Sequence, residues 1–253
     1  MFGITSTNII QYILSLPVIL LALSIHETAH GYIANKLGDP TAKSLGRLTL
    51  NPIKHIDVLG FLCMLFFHFG WAKPVPVNAR YFKKPRRDMA LTSAAGPCAN
   101  IILALVFALF LRLEILIVEI FFSEELQTAI NTNADYMSIN MLSVLSYILY
   151  MGVVLNISLA VFNLIPIPPF DGSRIAYVFL PQKLYFYVMK YERFIMFGIL
   201  ALLWFVPMFS GLIGNATRGL SSLVLSVVGM TPSSYPTRII HLMFHHLITA
   251  LFA

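Results

Sequence analysis

Charged residues are scarce in this chain. They make up 11% of its 253 residues, whereas hydrophobic residues make up 58%, and the mean hydropathy is +0.80. Soluble globular domains typically carry about 25% charged residues, so this composition excludes an ordinary water-soluble domain. Runs of about 20 apolar residues cross a bilayer as helices, and the chain has room for roughly five or six of them. We therefore predict an integral membrane protein.

Cysteine is also rare. The two cysteines, Cys63 and Cys98, lie in or beside apolar segments, and their spacing gives no indication of a disulfide framework or a thiolate metal site. The net charge of +6 would suggest nucleic acid as the partner of a soluble protein. Here Lys and Arg occur in short segments between apolar runs, where they set the orientation of the helices. We expect a lipid bilayer as partner and no nucleic acid.

Turn-forming residues separate the apolar runs. The first run extends from about residue 9 to Leu37 and ends at Gly38. Its start lacks the basic region of a signal peptide, so we expect it to be retained as a membrane span. Further spans are predicted at 89–111, 139–162, 194–209 and 220–228.

Two shorter segments complete the predicted architecture. Residues 58–70 are apolar but short for a span, so they either cross or re-enter the membrane, and residues 46–51 alternate like a short strand. The predicted fold is an all-α polytopic membrane protein with about five to six transmembrane helices and a short membrane-associated β-strand or re-entrant region. We expect one domain over residues 1–253, with a core region at about 9–180 and C-terminal helices at about 190–253.

Basic residues are unevenly distributed along the chain. Ten lie between Lys36 and Arg87 and four between Arg174 and Arg193, but none lies in residues 113–138, where five acidic residues occur. Because Lys and Arg mark cytoplasmic segments, the end of the first span and the segment around Asp171 are both predicted on the cytoplasmic side.

Three ionisable residues stand close together near the end of the first span. His26 and His30 are four residues apart, which places both imidazoles on one face of a helix at a spacing suited to one metal ion. Glu27 lies between them, and in this HExxH pattern the glutamate accepts a proton from a zinc-activated water. Charged groups in a membrane helix are costly, so the cluster points to a catalytic role rather than a polar helix end.

A catalytic zinc ion takes three protein ligands and keeps one open position, so a third ligand is required. Asp171 follows a proline-broken segment at membrane depth, where irregular backbone is tolerated only against protein or a cavity. A helix N-cap is the alternative role for Asp171. The other candidates are His55, His68, His241, His245, His246, Asp39, Asp57, Asp88 and Glu192. The three C-terminal histidines are better explained by an amphipathic interfacial tail than by a second metal site.

Three motifs in this order resemble the signatures of the site-2 protease family of intramembrane zinc metalloproteases. They are HETAH at 26–30, GPCAN at 96–100, and NLIP at 163–166 followed by Asp171 and Gly172. Residues 46–52 and 71–78 are also similar to segments of the compact prokaryotic branch, so the likeness covers about residues 15–180. Gly96 and Asn100 are interpreted as helix-packing residues, one small for close contact and one polar for an interhelical hydrogen bond.

The resemblance implies an active site and a substrate class. Its metal ligands would be His26, His30 and Asp171 around Zn²⁺, Glu27 would be the general base, and Asn163 would bind substrate or stabilise the developing oxyanion. The implied substrates are single-pass transmembrane proteins that another protease has already trimmed. The chain has no room for the PDZ or CBS domains that many family members carry. We expect a prokaryotic plasma membrane protein with its active site toward the cytoplasm; the sequence leaves the oligomeric state open.

Two other functional classes also fit an ionisable cluster in a membrane. A zinc-binding transporter or channel would use buried ionisable residues and broken helices along an ion pathway. A scaffold without activity would bind membrane partners only. The residue that discriminates is Glu27, because a transport site has no need of HExxH spacing with a third carboxylate ligand and an open coordination position.

Overall fold

The fold is described from a computed structural model of the chain. The structure describes residues 6–67, 70–121, 137–181 and 207–230, together with positions 184, 187, 188, 190–192, 194, 195, 197 and 198. Within this part the chain is mostly helical. The helices are α1 (Ser6–Lys36), α2 (Thr41–Ser44), α3 (Val58–Phe67), α4 (Pro85–Phe121), α5 (Met137–Asn163), α6 (Asp171–Ala176) and α7 (Pro207–Val227). Short 3-10 turns occur at Pro52–Lys54 and Ala79–Tyr81.

Three of the described helices are long and apolar enough to cross a membrane: Tyr12–Lys36, Pro85–Phe121 and Val144–Asn163. This finding confirms a helical membrane protein, but the predicted count of five to six spans is not confirmed. Most of the predicted span at 194–209 lies outside the described residues. The predicted span at 220–228 falls mainly within α7, which is not among the three.

Helix α1 ends where the sequence places its stop signal. Gly38 has φ of 107°, a left-handed conformation that glycine adopts without a steric penalty. The fully buried Asp39 follows, and its carboxylate accepts hydrogen bonds from Thr41 N at 2.9 Å and Asn78 N at 2.6 Å. The end of α1 is thereby fixed to the segment that precedes α4.

Helix α4 is longer than the predicted span at 89–111. It has 37 residues, or about 55 Å at 1.5 Å per residue, and it continues through residues 113–121, beyond the predicted end of the span. The residue responsible for that error is Glu114, which is buried and accepts a hydrogen bond from Ser146 Oγ of α5 at 2.7 Å. A paired carboxyl group does not interrupt a helix, whereas an unpaired one would favour water.

The segment predicted either to cross or to re-enter the membrane, residues 58–70, begins with a short helix. Helix α3 has ten residues, about 15 Å, and Ile56 forms an antiparallel bridge with Ala72, so the two ends of the segment are adjacent. Gly60 permits the close approach of α3 to Trp71, because a Cβ atom at position 60 would lie 2.3 Å from the carbonyl oxygen of Trp71.

The strand predicted at 46–51 is wrong: among the described residues the only β pairing is the isolated bridge between Ile56 and Ala72. In this segment side chains, rather than a neighbouring strand, form hydrogen bonds with the backbone. Thr28 Oγ1 donates to the carbonyl oxygen of Thr49 at 2.7 Å, and Nε2 of the buried His55 contacts the same oxygen at 2.8 Å.

The chain divides into two compact units. The first comprises Met1–Ile19, Leu103–Leu155 and Arg218–Ala253, and its core includes Leu111, Ile115 and Met230. The second comprises Leu20–Ile102 and Asn156–Thr217. All residues of the site described next belong to the second unit.

Candidate metal centre

Helix α1 carries two of the three residues that form a candidate metal centre. His26 and His30 are 4% and 9% exposed, and their Nε2 atoms are 3.0 Å apart. Gly96 of α4 lies directly against them, since a Cβ atom at this position would be 2.5 Å from both His26 Cε1 and His30 Nε2. The glycine interpreted from the sequence as a packing residue therefore packs against the histidines themselves.

Asp171 joins the two histidines from a different part of the chain. Its Oδ2 lies 3.1 Å from His26 Nε2 and 3.3 Å from His30 Nε2. Asp171 is the first residue of α6, whose N-cap position is Phe170 without a side-chain hydrogen bond. The alternative role of Asp171 as a helix cap is therefore wrong, because its side chain faces the imidazoles. Gly172 lets the chain turn here, since a Cβ atom there would lie 2.3 Å from Leu164 O.

Hydrogen bonds on the other side of each ring define where the imidazole protons are. His30 Nδ1 lies 2.8 Å from the carbonyl oxygen of Thr92, which can only accept, so this nitrogen carries a proton. His26 Nδ1 lies 2.6 Å from Oδ1 of the fully buried Asn100. With both protons on Nδ1, both Nε2 atoms present lone pairs to Asp171 Oδ2, as in metal-bound histidines.

Three acceptors that face each other within 3.0 to 3.3 Å would repel one another, and a cation between them removes that repulsion. Zinc ligands in a tetrahedral site are about 3.3 Å apart, given metal–ligand distances of about 2.0 to 2.1 Å, so His26, His30 and Asp171 fit a zinc ion. Metal ligands bind in their deprotonated forms, so Asp171 would serve as a carboxylate and both histidines as neutral imidazoles.

Glu27 is held beside this group but is not part of it. Its Oε2 accepts a hydrogen bond from the backbone N–H of Val75 at 2.8 Å. Gly31, one helical turn along α1, lets Val75 pack closely, because a Cβ atom there would lie 2.9 Å from Val75 Cγ1. One carboxylate oxygen is therefore anchored by the backbone.

A cavity of about 600 Å³ opens onto these residues. It is lined by His26, Glu27, His30 and Asp171, and also by Val77, Met89, Ser93, Asn163, Arg174 and Tyr177. Asn163 thus reaches the cavity, but its Nδ2 donates to the carbonyl oxygen of Leu159 at 2.9 Å rather than into the cavity. The structure brings together the histidines, Glu27 and Asp171, and it places Asn163 at the wall.

The other candidate ligands are engaged elsewhere. Asp57 accepts from Gly60 N, Asp88 pairs with Arg87, and Glu192 pairs with Arg174. His55 and Asp39 support loops, as described above. The candidates His68, His241, His245 and His246 lie outside the described residues. Sequence reasoning missed the contact between Asn100 and His26, although the GPCAN motif that contains Asn100 was a signal for it.

Comparison with known proteins agrees with this geometry. Residues 14–206 match the profile described as Peptidase family M50. The chain belongs to this family, the site-2 proteases. Two relatives carry the name "Putative zinc metalloprotease": YwhC of Bacillus subtilis is 44% identical over 62% of this chain and 64% of its own length, and MJ0611 of Methanocaldococcus jannaschii is 27% identical over 69% of this chain and 74% of its own length.

Rip2 of Mycolicibacterium smegmatis, which has the same form of name, is 32% identical over 37% of this chain and 38% of its own length. The chain therefore spans less than two thirds of YwhC and of Rip2. No solved structure gives a significant match. The relatives' names and the group of His26, His30 and Asp171, which could hold a metal ion, together support zinc as the cofactor.

Proposed function

We propose that this M50 peptidase is an intramembrane protease that hydrolyses peptide bonds of single-pass transmembrane proteins, with His26, His30 and Asp171 as its zinc ligands. The observation that carries the proposal is the convergence of these three side chains on one point at the wall of a cavity that also contains Glu27. A zinc ion with three protein ligands supplies a Lewis acid with an open coordination position, which activates water and polarises a carbonyl group.

Glu27 is the proposed general base. It directly follows His26 in α1 and lines the same cavity as the metal ligands. The backbone N–H of Val75 holds one of its carboxylate oxygens by a hydrogen bond. The second oxygen accepts the proton of the attacking water and returns it to the leaving amine, which is the role of a carboxylate in an HExxH site. Asn163 remains a proposed donor to the developing oxyanion, and for that it must exchange its hydrogen bond with Leu159 for one with substrate.

The substrate class is inferred from where the site lies. His26 and His30 are in a helix, Tyr12–Lys36, that is long and apolar enough to span a membrane. At 1.5 Å per residue, His26 lies about 21 Å from its first residue and about 15 Å from its last, and His30 about 27 Å and about 9 Å. A substrate helix hides its carbonyls in hydrogen bonds and must unwind before attack, so substrates with Gly, Pro or Asn in the span are favoured. The distribution of basic residues supports a site toward the cytoplasmic side of the membrane. The bacterial and archaeal sources of the relatives support a prokaryotic plasma membrane.

The test compares purified wild type with Glu27→Gln and Asp171→Ala. We expect Glu27→Gln to retain one zinc per chain and lose cleavage of a panel of trimmed single-pass proteins by at least about a hundredfold, because only the proton acceptor is removed. Asp171→Ala should lose zinc during dialysis, because two histidines alone hold the ion weakly. Metal content is measured by atomic absorption and cleavage on gels. A matched control is Glu192→Gln, which removes a carboxylate that pairs with Arg174 but contacts none of the three ligands.

The outcome separates the protease from a transporter. Normal cleavage by Glu27→Gln, or wild type without metal, would exclude the proposed mechanism. Zinc-dependent ion flux in proteoliposomes without cleavage of any panel member would favour a zinc-binding transporter instead.

A further inference from the structure

Two buried asparagines connect the metal centre to helix α5. Asn100 of α4 and Asn156 of α5 are both 0% exposed, and Asn100 Nδ2 donates to Asn156 Oδ1 at 2.8 Å. Both lie in helices that are candidate membrane spans. Burial of an amide costs free energy unless its groups are hydrogen-bonded, and apolar side chains would pack the two helices without this cost. Its contacts indicate a second role.

The orientation of the Asn100 amide is determined by its surroundings. Nδ2 lies 3.2 Å from the carbonyl oxygen of Ala22, which can only accept a hydrogen bond. The NH₂ group must therefore face Ala22 and Asn156, and Oδ1 must face His26. Because Oδ1 is an acceptor, the nitrogen of His26 that contacts it at 2.6 Å, Nδ1, must be the donor.

We propose that Asn100 is a positioning residue of the metal centre, which holds His26 in the tautomer and ring orientation that present the Nε2 lone pair to the metal. Asn156 in turn holds the Asn100 amide. The proposal rests on the zinc site of the proposed function, and it adds two residues that never touch the ion.

The two histidines differ in this respect. His30 Nδ1 donates to a backbone carbonyl, that of Thr92, so no side-chain substitution removes its orienting partner. His26 depends on a side chain, and that side chain depends on another helix. The zinc affinity should therefore respond to substitutions at Asn100 and, through it, at Asn156, with the larger response at Asn100.

The experiment measures zinc affinity by competition with a chromogenic chelator, and the absorption spectrum of the Co²⁺-substituted protein. Loss of the partner that orients a metal-bound histidine typically weakens binding 10- to 100-fold, and we expect this for Asn100→Leu, with shifted Co²⁺ bands. Asn100→Asp keeps an oxygen acceptor for His26 Nδ1 but loses the N–H donors that face Ala22 and Asn156, so its loss of affinity should be smaller than that of Asn100→Leu. Asn156→Leu leaves the Ala22 contact in place, so we expect an intermediate loss of about threefold to tenfold.

The control is Ser146→Ala, which removes a buried hydrogen bond to Glu114 between the same two helices without involving any residue of the metal group. It should lower thermal stability and leave the zinc affinity and Co²⁺ spectrum unchanged. Wild-type affinity in Asn100→Leu, or an equal loss in Ser146→Ala, overturns the proposal. If Asn100→Leu does not fold, wild-type affinity and an unchanged Co²⁺ spectrum in Asn156→Leu overturn it. Absence of zinc from wild type would instead count against the proposed function.

Discussion

At the scale of single residues, the metal centre depends on a glycine, Gly96, because the site has no space for a side chain there. Gly96 brings the backbone of α4 against both imidazoles, and a methyl group there would overlap His26 and His30 at 2.5 Å. Neither ring can move away freely, because its Nδ1 is hydrogen-bonded to Asn100 or to Thr92. The two histidines are thus confined between a close backbone and fixed hydrogen-bond partners.

We predict that Gly96→Ala weakens zinc binding by at least about tenfold, since displaced imidazoles no longer share one ion with Asp171. Isothermal titration with zinc after chelator treatment measures this loss. The matched control is Gly152→Ala in α5, where a Cβ atom would overlap Phe107 at 2.3 Å and none of the ligands. Gly152→Ala should reduce stability but keep the zinc affinity; equal affinities in both variants contradict the prediction.

Some residues of the site could be predicted from the sequence, and others could not. The HExxH spacing predicts that His26 and His30 share a face, because helical periodicity is local information. The role of Asn100 depends on which faces of α1, α4 and α5 meet, and spacing within one helix carries no such information. Glu114 misled the sequence analysis for the same reason, since its partner Ser146 lies 32 positions away.

At the scale of elements, the extended segment at residues 73–78 is fixed from both ends. Arg47 Nη2 donates to the carbonyl oxygens of Lys73 at 2.9 Å and Pro74 at 3.3 Å, and Asp39 accepts from Asn78 N. Between these contacts, Val75 N–H holds Glu27. The position of the proposed base therefore depends on a segment that is stabilised by contacts with the chain following α1.

We expect Arg47→Met to reduce cleavage about threefold to tenfold while one zinc per chain remains bound, because the loss of charge-assisted hydrogen bonds loosens the support of Glu27 without touching a ligand. Initial rates with one cleavable substrate, together with metal analysis, measure both effects. The control is Arg80→Met, which removes an exposed charge two residues after the segment 73–78. This variant should cleave at the wild-type rate. Loss of zinc in Arg47→Met would show that the segment supports the ligands rather than the base.

At the scale of the whole molecule, the ligands join distant parts of the chain. His26 and His30 belong to α1, whereas Asp171 follows 141 residues after His30, so a bound ion closes a long loop. An ion that binds only the folded state stabilises it by about 2.7 kcal/mol at a hundred times its dissociation constant. Removal of zinc by a chelator should therefore lower the Tm of wild type in detergent, and Asp171→Ala should show no such shift.

Orientation in the membrane is a second property of the whole molecule. The excess of basic residues at 36–87 over 113–138 predicts that positions 84 and 131 lie on opposite sides of the bilayer. Lys84→Cys and Asn131→Cys, each introduced after replacement of Cys63 and Cys98, should react with an impermeant thiol reagent from opposite faces of oriented vesicles. Labelling of both from one face contradicts the proposed topology.

The cavity has a consequence for how fast such a chain can work. At about 30 Å³ per molecule, its volume of about 600 Å³ holds roughly twenty waters. Each turnover of the proposed protease would consume one water, so we expect the cavity to hold a local supply of the reactant that a lipid environment makes scarce. We then expect the rate to depend on how often a substrate segment unwinds and enters rather than on the supply of water.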